Sequence, residues 1–139
     1  MMDGANLRNI DQHECLRLLA SVSVGRIAIT DQAMPVILPV TFIIHGGWIV
    51  IRTTKGSKLS AAADHAVVAM EVDCIDESNH EGWSVLVVGR SRLVGHGAEE
   101  FDLLESLDLP AWAARERDHF VLIDLDQVSG RRLAHNSAA

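Results

Sequence analysis

The residues best suited to chemistry lie in the segment from Thr53 to Lys58. No Asp or Glu occurs between Asp31 and Asp64, although the chain has a formal net charge of −7. This stretch contains Arg52 and both lysines of the chain, which stand on either side of a Gly-Ser pair. An acidic protein that gathers positive charge in this way creates a local site for an anion. The pattern indicates a place to bind a phosphate group.

The predicted elements on either side would hold this segment in place. A strand over Trp48–Thr53 precedes it, and a helix over Ser57–His65 follows, with Ser57 as the N-cap. Gly56 lets the backbone approach a ligand, and the unpaired first amides of a helix favour negative charge. A Gly-Ser turn before a helix is also common, and strands are poor in acidic residues. The residues alone therefore leave both a phosphate site and an ordinary turn open.

Several other kinds of site are excluded by their missing motifs. The chain has no Walker A motif, no Gly-x-Gly-x-x-Gly and no Gly-x-Ser-x-Gly, which argues against P-loop, Rossmann and serine-hydrolase chemistry. Its seven histidines include no pair at His-x-x-x-His spacing, so no metal site is predicted. The negative charge argues against nucleic acid as a partner. With no membrane-spanning apolar run and no secretory signal, the protein is expected to be cytoplasmic.

The remaining periodicity predicts a mainly β protein. We expect a flexible tail over residues 1–10, then one domain over residues 11–139 that opens with a short helix capped by Asp11. A second short helix is predicted over Glu99–Leu107. Short strands joined by tight turns favour an antiparallel barrel over a parallel sheet. The predicted strands are Val22–Thr30, Pro35–Ile44, Trp48–Thr53, Val67–Val72, Ser84–Val94 and Phe120–Leu125, with the second and third forming a hairpin.

Four runs of sequence together resemble the flavin-binding core of the pyridoxamine 5′-phosphate oxidase-like superfamily. They are Pro39-Val40-Thr41-Phe42, Ile49-Val50-Ile51-Arg52-Thr53, Gly56-Ser57-Lys58-Leu59 and Gly82-Trp83-Ser84-Val85-Leu86-Val87-Val88-Gly89-Arg90. The resemblance extends from about Glu14 to Arg132. It implies a mainly β, antiparallel split β-barrel with short peripheral helices. It also implies a homodimer that binds flavin mononucleotide (FMN) at the subunit interface.

The resemblance also assigns the cofactor-binding residues. Its phosphate ligands correspond to Arg52, Ser57 and Lys58, and Thr53 corresponds to a contact from the same strand. The backbone of Val40 and Thr41 is expected to lie along the isoalloxazine edge, and Pro39 is also expected to bind the cofactor. Ser84 corresponds to a residue that makes a polar contact with the flavin, sometimes from the partner subunit. Trp83 is expected to pack beside the isoalloxazine ring.

Two departures from the true oxidases bear on the substrate. Those enzymes carry a lysine where this chain has Phe42, and they end in an Arg-x-His motif where this chain reads Gly130-Arg131-Arg132-Leu133-Ala134-His135. The resemblance is greater to short, nitroreductase-like members, which implies an FMN-dependent oxidoreductase. Such an enzyme passes electrons from a reduced nicotinamide to an undefined acceptor, and no catalytic side chain stands out. The alternatives are a non-catalytic flavin carrier or sensor, or a relative that binds deazaflavin or haem.

Overall fold

The computed structural model describes residues 6–109 and 119–134, which form nine strands and three short helices. In chain order these are β1 (Asn6–Ile10), α1 (Gln12–Ala20), β2 (Val24–Asp31), β3 (Met34–Thr41), β4 (Ile43–His45), β5 (Trp48–Thr53), α2 (Lys58–Ala62), β6 (Ala66–Asp76), β7 (Glu81–Val94), α3 (Phe101–Ser106), β8 (His119–Asp124) and β9 (Gln127–Ala134).

All nine strands belong to one antiparallel sheet that divides at β7. The main path runs β3-β2-β6-β7-β8-β5-β4, and β9 pairs with both β7 and β1. Along one edge, β7 pairs with β6. Along its other edge it pairs with β9 over Gly82–Val88 and with β8 over Ser91–Val94. The sheet therefore curls into a split barrel with short peripheral helices, and the predicted fold class is confirmed.

The curled sheet encloses the main core, and the helices close its ends. Alternate residues of the central strands are buried, as expected for a sheet with one solvent-facing side. From α1, Cys15, Leu18 and Leu19 join this core, and Asp11 caps the helix by accepting a hydrogen bond from Glu14 N at 2.8 Å. A second cluster joins α3 to β5 and β8. This packing places α3 beside the end of β5.

The second half of the predicted tail contains a strand. Residues 6–10 form β1, which pairs with β9 from Asn6 opposite Ala134 to Ile10 opposite Gly130. A tail was predicted because the segment is polar. Its backbone nevertheless pairs with one edge of β9. Residues 1–5, and residues 110–118 and 135–139 of the predicted domain, lie outside the described part of the chain.

The predicted single strand Pro35–Ile44 is divided at Phe42. This side chain is buried in the main core, and its N–H donates to Ser23 O at 3.0 Å. The part before it, β3, pairs with β2, whereas the part after it, β4, pairs with β5. The predicted hairpin with β5 therefore involves only Ile43–His45. The predicted helix Ser57–His65 is likewise shorter, since α2 covers only Lys58–Ala62.

The side of the sheet that faces away from the core is called the outer face, and it includes exposed apolar residues. Ile37, Val67 and Leu86 are 68%, 66% and 41% exposed. Among them lies Glu71, with Arg26 Nη1 at 3.7 Å from its carboxylate and at 3.7 Å from that of Asp73. Burial, followed by the neighbouring Asp73, raises the pKa of Glu71 to about 7, against the opposing effect of Arg26.

The raised pKa of Glu71 predicts that stability falls as pH increases. Between about pH 4.5 and 7 the folded protein retains a proton that the unfolded chain has released, so the free energy of unfolding declines across that window. We expect Glu71→Gln to be more stable than wild type at pH 8 and to lose this advantage at pH 5. Urea unfolding at both values measures the difference. A variant–wild-type difference that is equal at the two pH values would contradict the assignment.

Candidate functional site

The turn between β5 and α2 is held by a pair of hydroxyl groups. Thr53 Oγ1 and Ser57 Oγ lie 2.9 Å apart, and Ser57 N donates to Thr54 O at 3.1 Å. Ser57 Oγ also accepts from Ser60 N at 3.0 Å, so Ser57 is the N-cap as predicted. When Thr53 donates to Ser57, the hydroxyl proton of Ser57 is left for a ligand. Gly56 has φ +81°, and a Cβ at this position would meet only open space.

A cavity of about 200 Å³ lies beside this turn, between β3 and β5, and is called the β3–β5 pocket. Five of the predicted site residues line it, and the structure thus brings together two segments that are separate in sequence. The full lining consists of Leu38, Pro39, Val40, Thr41, Ile51, Arg52, Thr53 and Leu59. Ser57 is joined to this lining by its hydrogen bond to Thr53, and Lys58 directly precedes the lining residue Leu59.

Arg52 is oriented by the strand next to it. Its guanidinium carbon lies 5.2 Å from the ring centre of Phe120, the residue directly opposite on β8. Such a contact between a cation and an aromatic face restrains the side chain while part of it remains accessible. Arg52 Nη2 is also 3.8 Å from a carboxylate oxygen of Glu105 in α3.

Lys58 likewise faces a carboxylate. Its Nζ lies 3.9 Å from Asp31 Oδ2, at the end of β2. The sequence analysis did not predict that Asp31 and Glu105 would lie beside these two cations. Asp31 was noted only as the boundary of the stretch without acidic residues. No local signal could have identified Glu105, because its proximity to Arg52 depends on the packing of α3 against β8.

The other two predicted residues, Trp83 and Ser84, lie elsewhere in the chain. Both belong to β7, and the strands β2 and β6 separate this part of β7 from β3. Trp83 lines a different cavity, of about 420 Å³, together with Cys74 and Arg132. Ser84 stands opposite Asp73 of β6. Neither residue lines the β3–β5 pocket of its own chain.

Two kinds of feature are absent from the described residues. No group of three or more His, Cys, Asp or Glu residues in that part of the chain is arranged to hold a metal ion. None of the helices described is both long and apolar enough to cross a membrane.

The model of the family described as pyridoxamine 5′-phosphate oxidase matches residues 11–132 of this chain. The chain belongs to this family. The match includes every residue that lines the β3–β5 pocket, and it includes Trp83 and Ser84.

Individual relatives agree with the family. The uncharacterized protein Rv0080 of Mycobacterium tuberculosis is 35% identical over 133 residues, which cover 92% of this chain and 86% of the relative. The structure of an FAD-binding protein from Mycobacterium smegmatis is 31% identical with a TM-score of 0.70, covering 91% of this chain and 98% of that one. A Corynebacterium glutamicum protein provisionally assigned as a pyridoxamine 5′-phosphate oxidase is 30% identical with a TM-score of 0.79, covering 92% and 98%.

Proposed function

We propose that this protein binds FMN, with the phosphate at a corner formed by Arg52, Thr53, Ser57 and Lys58, called here the phosphate corner. The observation that carries the proposal is the β3–β5 pocket, which joins Pro39–Thr41 to Arg52 and Thr53 directly beside the β5–α2 turn. In this arrangement the isoalloxazine would lie along Pro39–Thr41. Membership of the pyridoxamine 5′-phosphate oxidase family and the similarity to an FAD-binding protein support a flavin.

The donors at the phosphate corner are sufficient for useful affinity. Hydrogen bonds to a charged group contribute about 1.5–3 kcal/mol each. Three or four of them could supply much of the roughly 8 kcal/mol that micromolar binding requires. The turn is suited to this role because its hydroxyls are already in place: Thr53 is buried and hydrogen-bonded to Ser57.

A second copy of the chain would complete the site. The β3–β5 pocket, at about 200 Å³, is smaller than the roughly 300–1,000 Å³ typical of sites for drug-sized ligands. The outer face, with its exposed apolar residues, offers a surface for a homodimer. If two outer faces pack together about a two-fold axis that runs parallel to β6, the β3 edge of one copy lies opposite the β7–β9 edge of the other. Ser84 of a second copy, which lies on the outer face with Leu86, could then approach the flavin, whereas Trp83 packs against the main core of its own chain.

The activity that fits best is that of an FMN-dependent oxidoreductase that takes electrons from a reduced nicotinamide. A bound flavin supplies the redox chemistry, and the protein contributes position and electrostatics. Pyridoxamine 5′-phosphate is not the proposed substrate. At Phe42, where the true oxidases carry a lysine, the side chain is 1% exposed and packs in the core. It therefore cannot contact a second phosphate.

FAD is a second candidate because of one specific comparison. The FAD-binding protein from Mycobacterium smegmatis is 31% identical over nearly its whole length. FAD contains the same flavin and first phosphate as FMN. The open space above Gly56 would let a longer substituent leave the phosphate corner.

The proposed function can be tested with the purified protein. We expect it to retain flavin after incubation with FMN and desalting, with flavin-like absorption, and to scatter light as a dimer of 15.2 kDa chains. Oxidation of reduced nicotinamide beyond one equivalent would distinguish an enzyme from a carrier or sensor. A Soret band instead of flavin absorption, or the absence of retained flavin, would contradict the proposal.

A further inference from the structure

We propose that the outer face packs against a second copy of the chain with Glu71 close to the two-fold axis, and that association takes up one proton per copy at this residue. The dimer is therefore weaker at pH 8 than at pH 6. This inference rests on the homodimer in the proposed function and adds a control of its assembly by pH. It can fail while the flavin site and the homodimer both stand.

Glu71 on β6 has a carboxylate oxygen that is shielded from water without a hydrogen bond. The atom Oε1 is buried, and no described residue donates a hydrogen bond to it. Arg26 Nη1 is 3.7 Å away, beyond the roughly 2.7–2.9 Å of a charge-assisted hydrogen bond. The side chain as a whole remains at the surface, since 37% of it is exposed. This setting favours the protonated carboxyl group, which bears no charge that needs solvation.

The charges around Glu71 balance only when Glu71 is protonated. Arg26 on β2 and Asp73 on β6 are the charged groups beside it, and Arg26 Nη1 lies 3.7 Å from each of the two carboxylates. On the other flanking strand, β7, the outer-face residues nearest to Glu71 carry no ionisable group; they are Ser84, Leu86 and Val88. An ionised Glu71 therefore leaves the cluster with a net negative charge. Burial and the neighbouring Asp73 raise the pKa of Glu71 to about 7, so this change occurs near neutral pH.

The strand that carries Glu71 runs through the middle of the outer face. On one side of β6 lie β2 and β3, and on the other lie β7 and β9. Exposed apolar side chains occur on both sides, at Ile37 and Leu86, and on β6 itself at Val67. In a two-fold dimer both copies use the same surface, so a residue near the axis faces its own counterpart. An axis parallel to β6 would cover all three apolar residues and bring Glu71 close to Glu71 of the second copy.

This arrangement makes a charge on Glu71 unfavourable. Two ionised copies would face each other as like charges in a surface that loses its water. Two protonated copies avoid both penalties, and each Arg26–Asp73 pair is then left without excess charge. Above the pKa of the free chain, each copy must therefore take a proton from the solvent in order to associate. The cluster also adjoins the proposed site, because Asp73 stands opposite Ser84, which a second copy would bring to the flavin.

The experiment measures the dimer dissociation constant of the full chain by sedimentation over a range of concentrations, at pH 6 and pH 8 and constant ionic strength. With a pKa of about 7 in the free chain and two copies of Glu71 per dimer, the constant can rise by up to about a hundredfold between these pH values. We expect a rise of at least about tenfold in wild type. Glu71→Gln, whose side chain is neutral at both pH values, should match wild type at pH 6 and change little at pH 8.

Two further variants test whether the charge of this cluster is the cause. Asp73→Asn should also reduce the pH dependence, because Arg26 then balances an ionised Glu71 by itself. The matched control is Glu14→Gln, which removes one carboxylate from α1, on the core side of the sheet. The pKa of Glu14 is lowered, chiefly by its hydrogen bond from Arg17, so it stays ionised from pH 6 to pH 8. This control should keep the pH dependence of wild type. Histidines titrate near this range in every variant, so the comparison isolates Glu71.

The outcomes separate this inference from the proposed function. A wild-type dimer that is equally strong at both pH values, or stronger at pH 8, overturns only this inference, as does an equal pH dependence in wild type and Glu71→Gln. A monomer at both pH values contradicts the homodimer as well, whereas FMN retained after desalting would still support the flavin site. If dissociation is too weak to measure, subunit exchange between tagged and untagged dimers should be faster at pH 8 in wild type but not in Glu71→Gln, and equal rates would overturn the inference.

Discussion

Replacing Ser57 with aspartate is expected to weaken FMN binding at least hundredfold, whereas asparagine should leave the affinity within a few-fold of wild type. Ser57 Oγ is the N-cap of α2, and it lies 2.9 Å from Thr53 Oγ1 in the centre of the phosphate corner. Two like charges 4 Å apart repel by about 4 kcal/mol at an effective dielectric constant near 20. A hundredfold loss of affinity corresponds to about 2.7 kcal/mol, which is less than this repulsion energy.

The comparison of aspartate with asparagine isolates charge from structure. Both residues are good N-caps of nearly equal size, so both should keep the hydrogen bond to Ser60 N and leave the free energy of unfolding near that of wild type. Fluorescence-quenching titrations with FMN measure the affinity, and urea unfolding checks the fold. Equal FMN affinities for the two variants would mean that no phosphate lies near residue 57.

The second large effect concerns the position where the sheet divides. Gly89 lies on β7 between the segment paired with β9 and the segment paired with β8. A Cβ at Gly89 would lie 2.0 Å from the backbone oxygen of Asp124, at the end of β8. The backbone at this point cannot move aside as a flexible side chain can. Gly89→Ala therefore pushes the segment that follows β8 away from β7. We expect a loss of about 3 kcal/mol or more in the free energy of unfolding.

Gly25→Ala is the comparison variant for this prediction. Gly25 is also a buried strand glycine, and its added Cβ would lie 2.6 Å from the terminal methyl of Met70, 2.9 Å from Cγ1 of Val72 and 3.0 Å from the backbone oxygen of Glu71, so its closest backbone contact is 1 Å longer than that at Gly89. Its loss should be smaller than that of Gly89→Ala in urea unfolding at the same pH. If Gly89→Ala is no less stable than Gly25→Ala, the close approach of β8 to β7 at this point is incorrect.

The features that the sequence predicted correctly depend on neighbours along the chain. The cap at Asp11 and the cap at Ser57 follow from side chains that bond to amides three residues away. The strand predicted over Ser84–Val94 lies within β7, and its run of strand-forming residues is visible in the sequence. The β3–β5 pocket was anticipated only through the resemblance, because no local rule joins Pro39–Thr41 to Arg52.

The features that the sequence missed depend on contacts through space. Strand β1 has a partner, β9, from the other end of the described chain. The division of the predicted Pro35–Ile44 strand follows from the burial of Phe42, which periodicity cannot reveal in an apolar run. The carboxylates that face Lys58 and Arg52 come from β2 and α3. Each of these depends on tertiary packing.

The most direct test of the phosphate corner is to titrate wild type and Lys58→Ala with FMN and with riboflavin. The loss of one charge-assisted contact should weaken FMN binding by Lys58→Ala roughly ten- to hundredfold. Riboflavin has no phosphate, so its affinity should be the same for both proteins. If Lys58→Ala retains wild-type affinity for FMN, the phosphate of the flavin is not held at this corner.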